Sequence, residues 1–297
     1  MPSPRHDGTA HGVWVRVIET VAGDVALHLE VEGDGPLVVL LHGFGGSARN
    51  WRPQLRALRD SFRVAAFDVR GHARSEAPGD AASYRPACFV ADLARVLDHL
   101  LRSQPSHRAA QQAVVGGLSM GAGIAARFAA AYPARVRALV LASLPPGAEA
   151  GTRQRSWALA FADAIDRDGL EAAGARYAWG AESGLDANAA KLVRAGFLEH
   201  PPHAIAHTLR ELLAVQPGWS GVGESLGAQG LPALVIAGER DPVSLPPCHM
   251  LAQTLADAEL LVVPSAGHVV NLEARDAVSA ALRVFLERLP TREAARR

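Results

Sequence analysis

Ten residues, Val114-Val115-Gly116-Gly117-Leu118-Ser119-Met120-Gly121-Ala122-Gly123, restrict the fold more than any other stretch. An apolar run ends in glycines, a serine follows between two more, and an alanine-rich helical pattern begins. The pattern predicts a strand, a sharp turn and a helix, with Gly117-x-Ser119-x-Gly121 at the turn. Small residues two before and two after the serine relieve the clash between strand and helix, leaving the hydroxyl exposed above a sheet. The free N–H groups of the helix start point at the same place.

The rest of the chain supplies the sheet. Val13–Glu19 and Val25–Glu32 alternate apolar and polar residues around Ala22-Gly23-Asp24, as an antiparallel hairpin at a sheet edge does. Pro36–Leu41 is continuously apolar, the pattern of a strand covered on both faces. Phe62–Phe67, Gln112–Val115, Val136–Leu141, Ala233–Ala237 and Leu260–Val263 are further strands, and helical spacing lies between most of them. Ser47 is placed to cap a helix carrying Trp51, Leu55 and Leu58. Helices are also predicted over Pro86–Leu101, Ala122–Tyr132, Pro247–Leu255 and Leu272–Leu289. From Pro145 to Leu226 only helical segments appear, around Trp157–Ile165, Leu170–Tyr177, Ala189–Phe197 and Ala204–Leu213. Alternating strands and helices predict an α/β fold: a mostly parallel twisted sheet of about eight strands, helices on both faces, and a helical block inserted between two strands. The division expected is a core of 12–144 and 227–290, an inserted block of 145–226, and flexible termini of 1–11 and 291–297.

Composition narrows the function. Thirty basic residues balance thirty acidic ones in 297, so no basic field exists to recruit nucleic acid or anionic lipid. No run of 18 apolar residues occurs and the start is polar, so a cytoplasmic protein without a membrane segment is expected. Cys88 and Cys248 lack metal or redox spacing and are read as isolated buried thiols. His200, His203 and His207 cluster in the inserted block. Ala204 occupies the Glu position of an H-E-x-x-H pair, so no metal site is expected.

A serine hydroxyl needs a histidine to take its proton and a carboxylate to orient that histidine. In open α/β sheets these groups sit beyond the carboxyl ends of strands. After Ala233–Ala237 comes Gly238-Glu239-Arg240-Asp241, and after Leu260–Val263 comes Pro264-Ser265-Ala266-Gly267-His268. The candidate triad is Ser119, Asp241 and His268; Glu239 competes with Asp241 but stands early in its loop. Candidate oxyanion donors are the backbone N–H groups of Met120, opening the helix, and of Phe44, in the loop His42-Gly43-Phe44-Gly45-Gly46. His42 is read as tying that loop down rather than as a second base.

These pieces, with Asp68-x-Arg70-Gly71-His72-x-x-Ser75, resemble the α/β-hydrolase superfamily over roughly Val13–Leu289. The Ser119-Met120-Gly121 elbow is similar to those of enol-lactonases, carbon–carbon bond hydrolases of aromatic degradation, and small esterases or perhydrolases. The resemblance implies that the inserted helices cap the active site and that Asp68 is structural. One departure is Ala73, where relatives usually carry glycine. The expected function is cleavage of an ester, lactone or similar acyl bond in a small-molecule substrate through an acyl-enzyme, with no cofactor. The alternatives are a carbon–carbon bond hydrolase using the same triad and a non-catalytic small-ligand-binding protein. Haloalkane dehalogenases and epoxide hydrolases need aspartate where this chain has Ser119. Substrate identity, oligomeric state, and which of Trp157, Trp179, Phe197 and Trp219 line the pocket are not readable from the sequence.

Overall fold

The computed structural model describes residues 16–103, 112–147, 151–183, 185, 187–216 and 218–290. The expected flexible termini, and Val13–Val15 of the first strand, lie outside them. Eight strands form one sheet: β1 (Val17–Val21), β2 (Leu27–Glu32), β3 (Leu37–Leu41), β4 (Arg63–Phe67), β5 (Ala113–Leu118), β6 (Val136–Ala142), β7 (Ala233–Gly238) and β8 (Ala258–Val263). Their spatial order is β1-β2-β4-β3-β5-β6-β7-β8. β1 runs antiparallel to β2, and β2 antiparallel to β4; every later pairing is parallel.

The apolar runs are continuous because both faces of the sheet are buried. Val39 and Leu41 of β3 face one core with Ala65 and Phe67 of β4; Val38 and Leu40 face the other with Val64 and Ala66. α1 (Arg52–Leu58) covers the second face through Leu55 and Leu58. α2 (Pro86–Arg102) and α3 (Met120–Ala131) cover the first through Phe89, Leu93 and Phe128. Trp51 stands in a short 3₁₀ turn leading into α1, and Ser47 precedes that turn; the Ser47 N–H donates to Asn50 Oδ1 at 2.7 Å.

Between β6 and β7 the chain is helical: α4 (Gly151–Tyr177), α5 (Ala187–Phe197), α6 (Pro202–Thr208) with a π-turn over Leu209–Leu213, and α7 (Trp219–Gly227). The two helices expected around Trp157–Ile165 and Leu170–Tyr177 both form within α4, on either side of a kink at Gly169, whose φ is 79°. α7 packs on α3 and α8 (Leu245–Thr254), beside the sheet, whereas α4, α5 and α6 pack on one another. The predicted last helix is divided at Ala274 into α9 (Val270–Glu273) and α10 (Arg275–Arg288), the latter completing the α1 face. Among the described residues no helix is long and apolar enough to cross a membrane. Both cysteines are free. Cys248 is buried, which pushes its thiol up to about 12, but Cys88 is only half-buried, because it lies on the solvent side of the first turn of α2.

One charged pair lies deep in this frame. Arg70 and Asp92 are each 1% exposed and meet through two parallel bonds of 2.7 Å, Nε to Oδ2 and Nη2 to Oδ1. Arg70 also donates to the Ser83 carbonyl at 2.8 Å, which ties the strand-end loop after β4 to α2 and to the turn before it. Breaking such a pair leaves the buried guanidinium to the largely exposed Asp24 carboxylate, 3.2 Å away. Asp92→Ala is therefore expected to lower the free energy of unfolding by about 3–5 kcal/mol, measured by urea denaturation at neutral pH.

Candidate active site

The site is built on crowding at the carboxyl ends of β3 and β5. Ser119 ends β5 with φ 52° and ψ −114°, a left-handed conformation that non-glycine residues adopt at a cost. A Cβ on Gly117 would lie 2.5 Å from the Gly121 carbonyl carbon, and one on Gly121 would lie 2.4 Å from the Leu41 carbonyl oxygen. Both glycines are thus required by backbone contact, and the turn lifts the serine side chain clear of the sheet. The Ser119 N–H donates to the Ala142 carbonyl at 2.8 Å, fixing the turn to the end of β6.

His268 and Asp241 arrive from the ends of β8 and β7. His268 Nδ1 is 2.7 Å from Asp241 Oδ2, and Nε2 is 3.0 Å from Ser119 Oγ. With the Nδ1 proton donated to Asp241, Nε2 is left to accept from the serine hydroxyl. Burial opposes ionisation of Asp241, but hydrogen bonds and charge from His268, with a further bond from Ser244, outweigh it and hold the carboxyl below its usual range. The three residues singled out in the sequence are brought into one hydrogen-bonded line. Glu239 is not part of it: its carboxylate accepts the Ser265 N–H at 2.8 Å.

Two contributors were not found by sequence reasoning. Ser244, fully buried, donates its N–H to Asp241 Oδ1 at 3.2 Å and places Oγ 3.3 Å from His268 Nδ1. The Asp241-x-x-Ser244 spacing is a turn signal that would have pointed to it. Glu273, five residues after His268, accepts the N–H groups of Gly267 at 2.9 Å and Val269 at 3.0 Å.

The candidate oxyanion donors lie on two sides of the serine. Met120 is the first residue of α3, where an amide has no partner within its helix. A Cβ on Gly43 would sit 3.6 Å from Ser119 Cβ, so the loop carrying the Phe44 amide lies against the serine. His42 anchors that loop: Nδ1 bonds the Gly43 carbonyl at 2.8 Å, and Nε2 accepts the Val69 N–H at 3.1 Å. Asp68, fully buried, accepts the Ala48 N–H at 2.7 Å and binds Arg74 through Nε at 2.9 Å, a strand-end brace.

The helices after β6 reach this loop with aromatic rings. The Phe44 ring meets Phe161 of α4 and Phe197 of α5 edge-on, at 5.9 and 5.8 Å between centroids. Phe161 and Phe197 are stacked on each other at 5.7 Å and are buried. Trp157 and Trp179 join the cluster from partly buried positions, while buried Trp219 donates its indole N–H to the Pro145 carbonyl at 2.7 Å.

The three clustered histidines bind backbone. His200 Nδ1 accepts the Ala73 N–H at 3.2 Å, and His203 and His207 donate to the Ala77 and Gly79 carbonyls at 3.3 Å. Ala73 has φ 46°, the left-handed region in which glycine is normally favoured, so the departure from the family pattern is a strained turn. His72 and His200 lie 5.0 Å apart between centroids. Burial, then the neighbouring His42, pushes His200 down to about 4. Burial likewise holds His72 and His42 below the ordinary value of 6.5.

The alpha/beta hydrolase fold family model matches residues 36–274. A Bacillus subtilis (strain 168) protein, provisionally named 2-succinyl-6-hydroxy-2,4-cyclohexadiene-1-carboxylate synthase, is 32% identical over 256 residues, covering 82% of this chain and 89% of that protein. Epoxide hydrolase 4 of Mus musculus is 36% identical over 110 residues, but the match spans 37% of this chain and 28% of that one. Among solved structures, a thermophilic esterase from Thermogutta terrifontis superposes with a TM-score of 0.76 at 28% identity, covering 94% of this chain and all of the esterase.

The buried histidines give the fold a pH dependence of definite sign. Between 6.5 and about 4, the unfolded chain binds a proton at His200 that the folded chain does not. Stability therefore falls as pH drops through that window. Denaturant midpoints measured from pH 7 to pH 4.5 are expected to decline, and His200→Asn, which retains an acceptor for the Ala73 amide, should flatten the decline.

Proposed function

This chain belongs to the α/β-hydrolase fold family, and we propose that it is a serine hydrolase acting on an ester, lactone or similar acyl bond of a small molecule. The observation that carries the reading is the line from Ser119 Oγ through His268 to Asp241, at 3.0 and 2.7 Å. In this reading His268 takes the serine proton as Oγ attacks the substrate carbonyl, and Asp241 stabilises the imidazolium. The Met120 and Phe44 amides receive the oxyanion, a contribution for which one donor is typically worth about 10²–10³ in rate. His268 then protonates the leaving group, and water, deprotonated by the same histidine, releases the acid. Asp241 serves with its carboxylate ionised, and its lowered pKa supports that role.

The helices α4, α5 and α6 act as the cap in this proposal. The half-buried Phe44 ring, backed by the buried rings of Phe161 and Phe197, supports an apolar or planar acyl group as the part of the substrate nearest the oxyanion donors. A second reading is carbon–carbon bond hydrolysis, which would use the same three residues.

Ser119→Ala and His268→Ala should each lower kcat on a p-nitrophenyl ester by about 10⁴-fold or more, with Ser119→Ala abolishing the mass adduct formed with a fluorophosphonate. Turnover unchanged by both substitutions would end the proposal. In a substrate panel, p-nitrophenyl butyrate and benzoate should exceed the succinate half-ester in kcat/KM by about tenfold or more. A vinylogous diketone in the same panel separates the two readings, since preferential turnover of it selects the second.

A further inference from the structure

We infer that Glu273 is a positioning residue for the proposed reaction, acting through the backbone on either side of His268. The inference rests on the Ser119–His268–Asp241 assignment, in which His268 must meet both partners at once. A histidine on a strand-end loop has no intrinsic reason to hold its ring in place. After β8 the chain passes through Pro264, through Ser265 with φ 56°, and on to Gly267, outside regular structure.

The loop is fixed from two directions. On the side of β7, the Arg240 N–H donates to the Ala266 carbonyl at 2.8 Å, and a Cβ on Gly238 would lie 2.2 Å from the Gly267 carbonyl oxygen. These contacts hold the stretch before His268. The residue itself is bracketed by one carboxylate: Glu273 Oε2 accepts the Gly267 N–H at 2.9 Å and Oε1 accepts the Val269 N–H at 3.0 Å. A Cβ on Gly267 would approach those oxygens to 3.0 and 3.1 Å, so a side chain there would push the carboxylate back by a few tenths of an ångström.

The Gly267 N–H lies in the 266–267 peptide and the Val269 N–H in the 268–269 peptide, and both are gripped by one rigid, planar group. The two planes that enclose Gly267 and His268 are thereby pinned, which restricts the direction in which the His268 Cα–Cβ bond leaves the backbone. The ring is consequently aimed at Asp241 and Ser119, and Ser244 steadies the Nδ1 edge from the other side. Hydrogen bonds to a charged acceptor are about twice as strong as neutral ones, which suits a carboxylate to this task better than an amide. Glu273 touches neither Ser119 nor the reacting atoms, so its effect falls on rate and spares binding.

The test measures kcat and KM on a p-nitrophenyl ester, and the rate of fluorophosphonate labelling, for wild type, Glu273→Gln and Glu273→Ala. Thermal unfolding monitors the fold. Glu273→Gln keeps one acceptor and should lower kcat and labelling rate about tenfold, Glu273→Ala about a hundredfold, with KM within about twofold of wild type. In an Asp241→Asn background the same substitutions should cost much less, because both act through the orientation of His268. Wild-type kcat in Glu273→Gln and Glu273→Ala, or full additivity with Asp241→Asn, overturns the inference. If Glu273→Ala does not fold, Glu273→Gln alone decides. Wild type that takes no label, behaving as Ser119→Ala does, removes the serine assignment and this inference with it. Labelled wild type with unaffected Glu273 variants removes the inference alone.

Discussion

Backbone meets backbone, without room for a side chain, at the carboxyl ends of this sheet, and the site follows from that crowding. Gly117 and Gly121 admit the contact between the serine turn and the end of β3, and Gly238 admits the contact between the loops that follow β7 and β8. A methyl group at any of these positions would have to push strands apart, and strands in a close-packed sheet have little freedom to move. Ser119, Asp241 and His268 are therefore carried on segments whose separations are set by main-chain sterics. Side-chain hydrogen bonds complete a geometry that the glycines already enforce.

The burial of β3, β4 and β7 on both faces explains why so much of the architecture was legible. A strand buried on both faces reads as an unbroken apolar run, and each such run in this sequence became a parallel strand. The serine turn was legible because its conformation tolerates so few residue types. Asp241 and His268 were legible because strand ends could be located and chain order then restricted the choices. Glu273 and Ser244 were not, because their roles depend on where a loop folds back. A glutamate five residues after a histidine carries no periodic signal. The break at Gly169 falls in the gap between the helical segments read at Ile165 and Leu170, whereas the break at Ala274 is set by local dihedrals that the apolar pattern of the last helix does not record.

The region after β4 shows how one loop serves two layers. Arg70 directs its guanidinium into the frame toward α2, while Ala73 accepts strain so that its amide faces His200 at the far end of α5. Asp68 closes the same loop on Arg74. The loop thereby joins the sheet to the helices after β6, and Phe44, on the neighbouring loop after β3, adds an apolar contact to them through Phe161 and Phe197.

Chain order has a consequence for synthesis. Ser119 and His268 are 149 residues apart, whereas Asp241 and His268 are separated by only 27. Chains emerge from the ribosome amino end first, at about 5–20 residues per second. In the proposed triad, the serine turn has left the ribosome for several seconds before its base exists. The hydroxyl stays an ordinary alcohol until β8 has docked at the sheet edge. A chain released early, or clipped before its last strand, would carry Ser119 without His268, so the proposed centre can arise only in a molecule whose sheet is complete.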